Sequence, residues 1–331
     1  MKRAAIINDN PQRCLEVYGS GRYEQLTQIC DLIPGVLTAE QVQERLGELS
    51  DVEVVFSTWG YPVLDTATLD AMPHYRALFY AAGSVKSFAP ALLERDITVV
   101  SGWAANGVPV AEFTVAQILL ACKGYFRNTR DFSDPSARST AHRGAGVFGE
   151  TVGLIGVGMV GRAVVELLRP FVLRVVVHDP FLSDNDAAQL GVEKVSLEEL
   201  FAQSYVVSNH LPNLPELQGV LHGGLLEQLR PDATFINTGR GAQVVEADMM
   251  RIWSARPDLT ALLDVTMPEP PEEGSPFYEM PNVHLSTHIA GSMNDEIVRM
   301  ADYMIEDFRR WQRSGCRVAV ASTDRHHRTP L

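Results

Sequence analysis

The chain has 331 residues, of which 46% are hydrophobic and 21% charged, a composition typical of folded proteins of about two domains. The net charge of −13 predicts an acidic surface, so neither nucleic acid nor an anionic membrane is expected as a partner. No apolar run reaches ~20 residues, and the first residues lack the apolar core of a signal peptide. Four cysteines without a C-x-x-C spacing predict no disulfide framework and favour a reducing cytoplasm.

The first part of the chain, up to about residue 121, alternates predicted strands and helices. Helices are predicted over 38–49 and 64–72, and buried strands over 4–8, 52–59, 77–83 and 97–103. This alternation predicts a parallel sheet with helices on its faces. A long apolar helix over 108–126 leads into a polar stretch, 127–146, which is interpreted as a crossover or linker.

A second alternating set begins at Glu150, with helices between six predicted strands at 151–156, 173–179, 205–210, 234–239, 260–266 and 282–287. Ser196 and Glu199 form a predicted capping box at the start of one of these helices. Six strands with helical crossovers predict a doubly wound sheet. One long amphipathic helix follows over 294–315, and we expect it to return to the first domain.

The first predicted strand of this second set runs into a G-x-G-x-x-G turn, Gly156-Val157-Gly158-Met159-Val160-Gly161. In a strand–turn–helix context, such glycines allow a tight turn, a close approach of pyrophosphate and close helix packing. Asp179 ends the next strand, where a carboxylate accepts hydrogen bonds from an adenosine ribose and repels a 2′-phosphate. The sequence therefore favours NAD over NADP.

Polar residues also follow the later strands of this set. Arg240 lies between two glycines and is suited to a bidentate carboxylate contact. Asp264 and Glu269 follow the next strand, and His288 follows the last one. Each alone has an ordinary structural interpretation, as a surface ion pair, a loop charge or a satisfied polar group. Together, at the carboxyl ends of strands, they predict an anion clamp and a carboxylate–histidine acid/base pair. No spacing of His, Asp or Glu suggests a metal.

These residues resemble the D-isomer-specific 2-hydroxyacid dehydrogenase family. The resemblance covers roughly residues 50–315 and is strongest over 150–292. It is carried by "GVGMVG" with Asp179, and by "NGVPVAE" (106–112), "NHLPNLPELQGVL" (209–221), "INTGRGAQV" (236–244), "LLDVTMPEP" (262–270) and "HLSTHIAG" (284–291).

The resemblance implies an NAD-dependent enzyme that transfers a hydride between NAD(H) and a small 2-oxo or 2-hydroxy acid. The implied catalytic residues are Arg240 for the substrate carboxylate, His288 for the proton on the carbonyl oxygen, and Glu269, which orients and charges His288. The implied cofactor-binding residues are Gly156, Gly158, Met159, Val160, Gly161, Asp179, His210, Pro212, Thr238, Gly239, Arg240, Asp264, His288 and Gly291. The implied substrate-binding residues are Ala82, Gly83, Ser84, Asn106 and Arg240.

The resemblance also implies an architecture, two doubly wound parallel-sheet α/β domains with a Rossmann NAD domain inserted in a flavodoxin-like substrate domain. The substrate domain is expected over 1–121 and 293–331, and the NAD domain over 122–292. This insertion explains why the glycine turn lies in mid-chain. The family resemblance further implies a homodimer.

The sequence departs from the usual family pattern at four positions. Leu214 and Leu217 stand where threonines are usual, Thr287 where proline is usual, and Val85 where the substrate loop usually has Asp or Asn. An NADH-responsive binding protein, like the co-repressors of this fold, is an alternative that Arg240, Glu269 and His288 disfavour. Glu269 also disfavours a formate dehydrogenase-like enzyme. A phosphoglycerate dehydrogenase is disfavoured because no regulatory domain is expected after residue 315.

Overall fold

The computed structural model describes residues 1–314, and these form two compact units. Unit 1 comprises Met1–Gly107 and the segment that begins at Ser292, and unit 2 comprises Val108–Gly291. The division at residues 107 and 108 lies inside a long helix, whereas the sequence prediction placed the boundary at the end of that helix. The predicted return of the chain at residue 293 lies next to the observed division at Ser292.

Unit 1 contains a five-stranded parallel sheet with the order β2-β1-β3-β4-β5. The strands are β1 (Arg3–Ile7), β2 (Asp31–Leu37), β3 (Val54–Ser57), β4 (Ala77–Tyr80) and β5 (Thr98–Ser101). This order is that of flavodoxin-like sheets, which confirms the predicted fold class. The sequence analysis missed β2, because Pro34 and Gly35 interrupt its apolar pattern. Proline is tolerated at this position because β2 is an edge strand.

The helices of the first part of unit 1 are short. They are α1 (Pro11–Val17), α2 (Arg22–Ile29), α3 (Ala39–Glu44), α4 (Leu46–Leu49), α5 (Thr66–Asp70) and α6 (Ala89–Leu93). The sequence predicted one helix over 38–49, but the helix is interrupted at Arg45, which separates α3 from α4. The Thr38 side chain caps α3 by accepting from the N–H of Gln41.

The helix α7 (Trp103–Cys122) runs from unit 1 into unit 2. Its length and apolar composition would suffice to cross a membrane, but core helices meet the same criterion, and Ala111, Ile118 and Cys122 pack in a buried cluster of unit 2. The observed helix starts and ends earlier than the helix predicted over 108–126. Gly124, with φ +66°, separates α7 from α8 (Tyr125–Asp131).

Unit 2 contains a seven-stranded parallel sheet with the order β12-β11-β10-β9-β6-β7-β8. The strands are β6 (Glu150–Ile155), β7 (Leu173–His178), β8 (Glu193–Lys194), β9 (Val206–Asn209), β10 (Thr234–Asn237), β11 (Thr260–Leu263) and β12 (Val283–Leu285). Counted from β6, this is the 3-2-1-4-5-6 order of Rossmann domains with a seventh strand added, which confirms the predicted fold class. The two-residue edge strand β8 was not predicted, because both of its residues are exposed and polar.

The remaining helices of unit 2 are α9 (Arg138–Ala141), α10 (Met159–Leu168), α11 (Asp184–Leu190), α12 (Leu197–Gln203), α13 (Gly223–Leu226) and α14 (Glu246–Ala255). The predicted capping box of α12 is confirmed. The Ser196 hydroxyl accepts from the N–H of Glu199 (3.1 Å), and the Glu199 carboxylate accepts from the N–H of Ser196 (2.9 Å).

The last helix, α15 (Val298–Ser314), packs in unit 1 after one 3₁₀ turn over Asn294–Ile297. Its buried Phe308 contacts the rings of Phe56 on β3 and Phe79 on β4, with ring centroids 5.3 and 5.5 Å apart. Burial of one such aromatic side chain stabilises the fold by roughly 1.5–3 kcal/mol. Residue 315 of the predicted helix lies outside the described residues.

Candidate active site

The four strands β9, β10, β11 and β12 end together, which places the polar residues that follow them at one edge of the sheet. Asn237, the last residue of β10, is paired in register with Asn209 of β9 and with Leu263 of β11, and Leu263 is paired with Leu285 of β12. His210, Arg240, Asp264 and His288 follow these ends by one to three residues. Ligands of doubly wound sheets bind at this carboxyl edge.

The glycine turn follows β6 and begins α10 as predicted. Gly156 has φ +85°, and its N–H donates to the carbonyl oxygen of His178 (2.9 Å). A Cβ at Gly161 would lie 2.3 Å from the carbonyl oxygen of Gly156, so only glycine allows this packing of helix on turn. A Cβ at Gly158 would meet nothing within 4 Å, so the backbone is open there.

This turn fits the pyrophosphate of a dinucleotide. The open backbone at Gly158 is the N-cap of α10, and the first residues of the helix, Met159 and Val160, have N–H groups without intrahelical acceptors. Helix N-termini of this kind bind phosphate through backbone N–H groups and the helix dipole.

Asp179 follows β7 directly, and its carboxylate contacts the glycine turn. One oxygen, Oδ2, accepts from the N–H of Val157 (2.8 Å), and Oδ1 accepts from the N–H of Phe181 (2.8 Å). Each carboxylate oxygen can accept a further hydrogen bond, so a ribose hydroxyl can still be bound. Asp179 therefore also holds the turn in place, a role that its position in the sequence did not indicate.

Glu269 and His288 form the pair that the sequence predicted. Nδ1 of His288 lies 2.6 Å from Oε1 of Glu269, and the side chains are 48% and 40% exposed, respectively. His288 has φ +58°, a left-handed conformation that non-glycine residues rarely adopt. The contact occupies Nδ1 and leaves Nε2 as the ring nitrogen for a substrate. The pair therefore has the arrangement of an oriented acid/base group.

Asp264 holds the loop that carries His288. Its buried carboxylate accepts from the hydroxyl of Ser286 (2.6 Å) and from the N–H groups of Ile289 (2.8 Å) and Ala290 (3.0 Å). Its carbonyl oxygen accepts from the N–H of His288 (3.1 Å). These contacts explain how the backbone of His288 is kept at positive φ, and no sequence pattern predicted them. Cofactor binding by Asp264 stays a prediction, as does cofactor binding by Gly291, which ends unit 2.

Arg240 is half-buried between two glycines that are both confined by their neighbours. A Cβ at Gly241 would lie 2.0 Å from the carbonyl carbon of Thr266, so this loop packs directly on the chain segment that precedes Glu269. Nη1 of Arg240 donates to the carbonyl oxygen of Gly239 (2.6 Å). Within residues 1–314, no carboxylate lies within ion-pair distance of Arg240, which leaves the guanidinium available for an anion.

Two residues that the sequence analysis missed hold the loop of Glu269. Oε1 of Glu246, in the first turn of α14, accepts from the N–H of Met267 (2.7 Å), and burial raises the pKa of Glu246. The Thr266 hydroxyl donates to the carbonyl oxygen of Pro268 (2.8 Å). The position of Glu246 at a helix start was visible in the sequence, but its partner was not.

The remaining predicted cofactor residues lie at the same edge. Nε2 of His210 lies 3.0 Å from the hydroxyl of the buried Ser208, and burial lowers the pKa of His210 to about 4. The Oγ1 atom of Thr238 is buried and has no hydrogen-bond partner in the described part of the chain. Such an unpaired buried hydroxyl is free to bind a ligand. Pro212 presents its carbonyl oxygen to Gln243.

Apart from Arg240, the predicted substrate residues belong to unit 1. The Ser101 hydroxyl lies within hydrogen-bond distance of the carbonyl oxygens of Ala82 (2.9 Å) and Gly83 (2.5 Å), which fixes this loop after β4. The N–H of Ala82 donates to Tyr80 (2.8 Å) and is therefore already used. Oδ1 of Asn106 accepts from the N–H of Ser292 (2.9 Å), where the chain re-enters unit 1. Substrate binding by Ala82, Gly83, Ser84 and Asn106 stays a prediction.

The seven-stranded sheet, the glycine turn and the carboxylate of Asp179 define a dinucleotide-binding α/β protein. A family model described as D-isomer specific 2-hydroxyacid dehydrogenase, NAD binding domain, matches residues 115–290. The chain belongs to this family, as the resemblance indicated. The match to an NAD binding domain also confirms the prediction that the cofactor is NAD.

Individual relatives agree with this membership. The D-3-phosphoglycerate dehydrogenase of Archaeoglobus fulgidus is 30% identical over 217 residues, which are 66% of this chain and 41% of that protein. The chain thus spans about two fifths of the length of this and other curated relatives that it matches.

Solved structures of similar fold cover almost the whole chain. The apo D-mandelate dehydrogenase of Rhodotorula graminis has a TM-score of 0.78 at 18% identity, with 94% of each chain covered. The NAD complex of a D-isomer specific 2-hydroxyacid dehydrogenase from Lactobacillus delbrueckii ssp. bulgaricus has a TM-score of 0.78 at 17% identity, with 97% of this chain and 100% of that chain covered. At these identities the likeness shows the fold alone.

Proposed function

We propose that this protein catalyses the reversible reduction of a 2-oxo acid to a D-2-hydroxy acid with NADH. The observation that carries the proposal is the contact of 2.6 Å between Nδ1 of His288 and Oε1 of Glu269, at the sheet edge that also carries Arg240. An oriented imidazole and a guanidinium without an ion-pair partner among residues 1–314 suit a substrate with a carbonyl and a carboxylate.

Arg240 binds the substrate carboxylate in this proposal. A guanidinium forms two parallel hydrogen bonds with a carboxylate, which fixes the orientation of the substrate as well as its position. The glycines on either side keep the backbone of the Arg240 loop against Thr266 and the neighbouring strand end. The loop is therefore held while the guanidinium meets the substrate.

His288 holds the proton that is delivered to the carbonyl oxygen of the substrate. Glu269 accepts at Nδ1, so Nε2 is the atom from which the proton leaves in reduction and to which it returns in oxidation. General acid catalysis of this kind contributes typically ~10²–10⁴-fold. Asp264 keeps the His288 loop in place through the three donors of the Ser286–Ala290 segment.

The glycine turn, Asp179 and Thr238 would hold the dinucleotide, with pyrophosphate at the N-terminus of α10 and the ribose at Asp179. NAD supplies the hydride chemistry, which protein side chains lack. The loop of Gly83 and Ser84 in unit 1 is assigned to the substrate on the family resemblance.

The experiment that tests the function is a screen of NADH oxidation with glyoxylate, pyruvate, hydroxypyruvate, phenylpyruvate and branched 2-oxo acids. The screen includes the oxo acids of 3-phosphoglycerate and mandelate, since relatives carry those names. Turnover of at least one acid supports the proposal. Tight NADH binding without any turnover would instead indicate an NADH-responsive binding protein.

Arg240→Lys tests the carboxylate clamp, because lysine keeps the charge but loses the planar fork. The KM for the oxo acid should rise about 10–100-fold, as expected for the loss of one charge-assisted hydrogen bond, while the Kd for NADH changes little. Arg251→Lys is the matched control, since Arg251 is an exposed arginine of unit 2 that pairs with Glu227. An unchanged KM in Arg240→Lys would mean that Arg240 does not bind the carboxylate.

We propose a homodimer in a reducing cytoplasm. Exposed apolar side chains on the consecutive segments of unit 2 from α7 to β6 support a dimer: Leu120, Tyr125, Phe132 and Phe148. Three cysteines of the described chain are buried free thiols whose pKa is raised to about 12 by burial, Cys14, Cys30 and Cys122. Such unreactive thiols suit a reducing compartment. Light scattering of the purified protein measures the oligomeric state, and a monomer would contradict the dimer.

A further inference from the structure

Three amide side chains form a buried polar network beneath the loop of Arg240. Asn209 ends β9, Asn237 ends β10, and Gln243 lies in the 3₁₀ turn after Arg240. Asn209 is fully buried, and the other two are 1% and 2% exposed. Asn209 and Asn237 are also register partners in the sheet. Three buried amides at the carboxyl edge are a feature that the proposed chemistry does not use.

The side chain of Gln243 joins two loops. Its Oε1 accepts from the N–H of Arg240 (3.1 Å) and from Nδ2 of Asn209 (2.7 Å). Its Nε2 donates to the carbonyl oxygens of Leu211 (3.1 Å) and Pro212 (2.8 Å). One side chain therefore connects the backbone of the Arg240 loop with the backbone of the loop that follows His210.

The two asparagines complete the network from the strand ends. Nδ2 of Asn209 also donates to Oδ1 of Asn237 (2.9 Å), and Oδ1 of Asn209 accepts from the N–H of Leu211 (3.2 Å). Asn237 accepts from the N–H of Gly239 (3.1 Å) and donates to the carbonyl oxygen of Arg240 (3.2 Å). Every amide oxygen and nitrogen of the three side chains has a partner, which is the condition under which a buried polar network rigidifies its surroundings.

The loop backbone lies directly on these amides. A Cβ at Gly239 would be 2.8 Å from Nδ2 of Asn209 and 2.9 Å from Oε1 of Gln243, so no other residue fits without displacing the network. The backbone of Arg240 is thus bound on both its N–H and its carbonyl oxygen. The amides therefore hold the backbone of Arg240 from both sides.

We propose that Asn209, Asn237 and Gln243 are positioning residues that fix the loop of Arg240 to the loop of Leu211 and Pro212, and so couple the carboxylate clamp to the cofactor side of the site. This inference rests on the proposed function for the role of Arg240. A displacement of about 1 Å in such a group is enough to lower a rate about 10²-fold. Loss of the network therefore acts on substrate binding and turnover through Arg240, which none of the three amides replaces.

The test compares Gln243→Met with Asn282→Met in the full-length protein. Methionine keeps the length of Gln243 but neither accepts from Arg240 nor donates to Leu211 and Pro212. Asn282 is the matched control, since it is a buried amide of unit 2 that donates to the carbonyl oxygens of Trp253 (3.0 Å) and Arg256 (3.2 Å). It precedes β12 and so lies at the opposite edge of the sheet from Arg240. Both variants should lower the thermal midpoint, because each removes the hydrogen bonds of a buried amide and leaves their carbonyl partners unpaired.

Only Gln243→Met should change the site. We expect its KM for the oxo acid to rise at least tenfold and its kcat to fall, with faster amide hydrogen exchange over both 209–213 and 238–243. In Asn282→Met these quantities should stay within about twofold of the wild type at a comparable loss of thermal stability. Equal effects of the two variants on KM and on exchange at both loops would overturn the proposal.

Amide hydrogen exchange keeps this test separate from the test of the proposed function. If the wild type turns over no 2-oxo acid, the function fails, while exchange over 209–213 and 238–243 still decides whether the amides fix both loops. If Gln243→Met gives no folded protein, Asn209→Ala must show the same joint increase of exchange in the two loops. Increased exchange in only one of them would contradict the coupling.

Discussion

Lowering the pH should reduce the free energy of unfolding, because His210 is harder to protonate in the folded protein than in the unfolded chain. Burial lowers the pKa of His210 from 6.5 to about 4 in the folded protein. Between these values the unfolded chain binds a proton that the folded protein does not, so the free energy of unfolding falls as the pH falls. Linkage of the two pKa values gives a loss of about 2 kcal/mol from this residue between about pH 7.5 and pH 5.

The assay is urea unfolding of the wild type and of His210→Gln at both pH values. Glutamine retains a polar partner for Ser208 but does not titrate, so the variant lacks the acid-dependent loss. The difference in the free energy of unfolding between the two proteins should therefore shift by about 2 kcal/mol in favour of the variant on acidification. Ser208→Ala is the control. It removes the contact of 3.0 Å with Nε2 but leaves the imidazole in place, so its pH dependence should follow the wild type.

One outcome would refute this reasoning. If the wild type and His210→Gln lose stability in parallel between the two pH values, the imidazole of His210 is solvated enough to bind a proton in the folded protein. Burial would then not be the cause that controls its charge, and His210 could not be set aside as a proton donor.

Two further substitutions test the cofactor and acid/base assignments. Asp179→Asn should raise the ratio of kcat/KM for NADPH to kcat/KM for NADH about tenfold, because the carboxylate that repels a 2′-phosphate is lost. An unchanged ratio would contradict the assignment of Asp179 to the ribose. Glu269→Gln should lower kcat about 10²-fold and leave the Kd for NADH unchanged, because the amide still contacts Nδ1 of His288 but no longer supports a charge on the imidazole. A kcat within threefold of the wild type would show that Glu269 is not the functional partner of His288.

Strands could be predicted from the sequence where they are buried, because a buried strand has a continuous run of apolar residues. The six predicted strands of unit 2 all occur. Five of them lie inside the sheet, where strands of a parallel sheet are buried on both faces, and the sixth, β12, is an edge strand. The strands β2 and β8 were missed because neither carries a continuous apolar run, whereas the edge strands β5 and β12 were predicted. In β2 a Pro34–Gly35 pair stands at the exposed position, and in β8 both residues face solvent, so the local pattern does not distinguish them from loops.

The candidate site was predictable where it depends on residue type and strand position. Glu269 and His288 were paired from their place after neighbouring strands, and the fold brings them into contact. The amide of Gln243 had no such signal, because its partner Asn209 is 34 positions away in the sequence. A contact of this kind follows from the order of the strands, which brings the ends of β9 and β10 together only in the folded sheet.

Two of the histidines at the carboxyl edge of unit 2, His210 and His288, have opposite environments, and we expect this difference to decide which of them donates the proton. A proton donor must carry a proton at the working pH and present it to the substrate. His210 fails the first requirement, because burial holds its pKa at about 4 and no carboxylate is paired with it in residues 1–314. His288 is 48% exposed, its Nδ1 is bound to a carboxylate, and Nε2 remains for the substrate. We therefore expect the loop that Asp264 fixes to carry the acid, and the loop of His210, which follows β9 at the same edge of the sheet, to carry no proton donor.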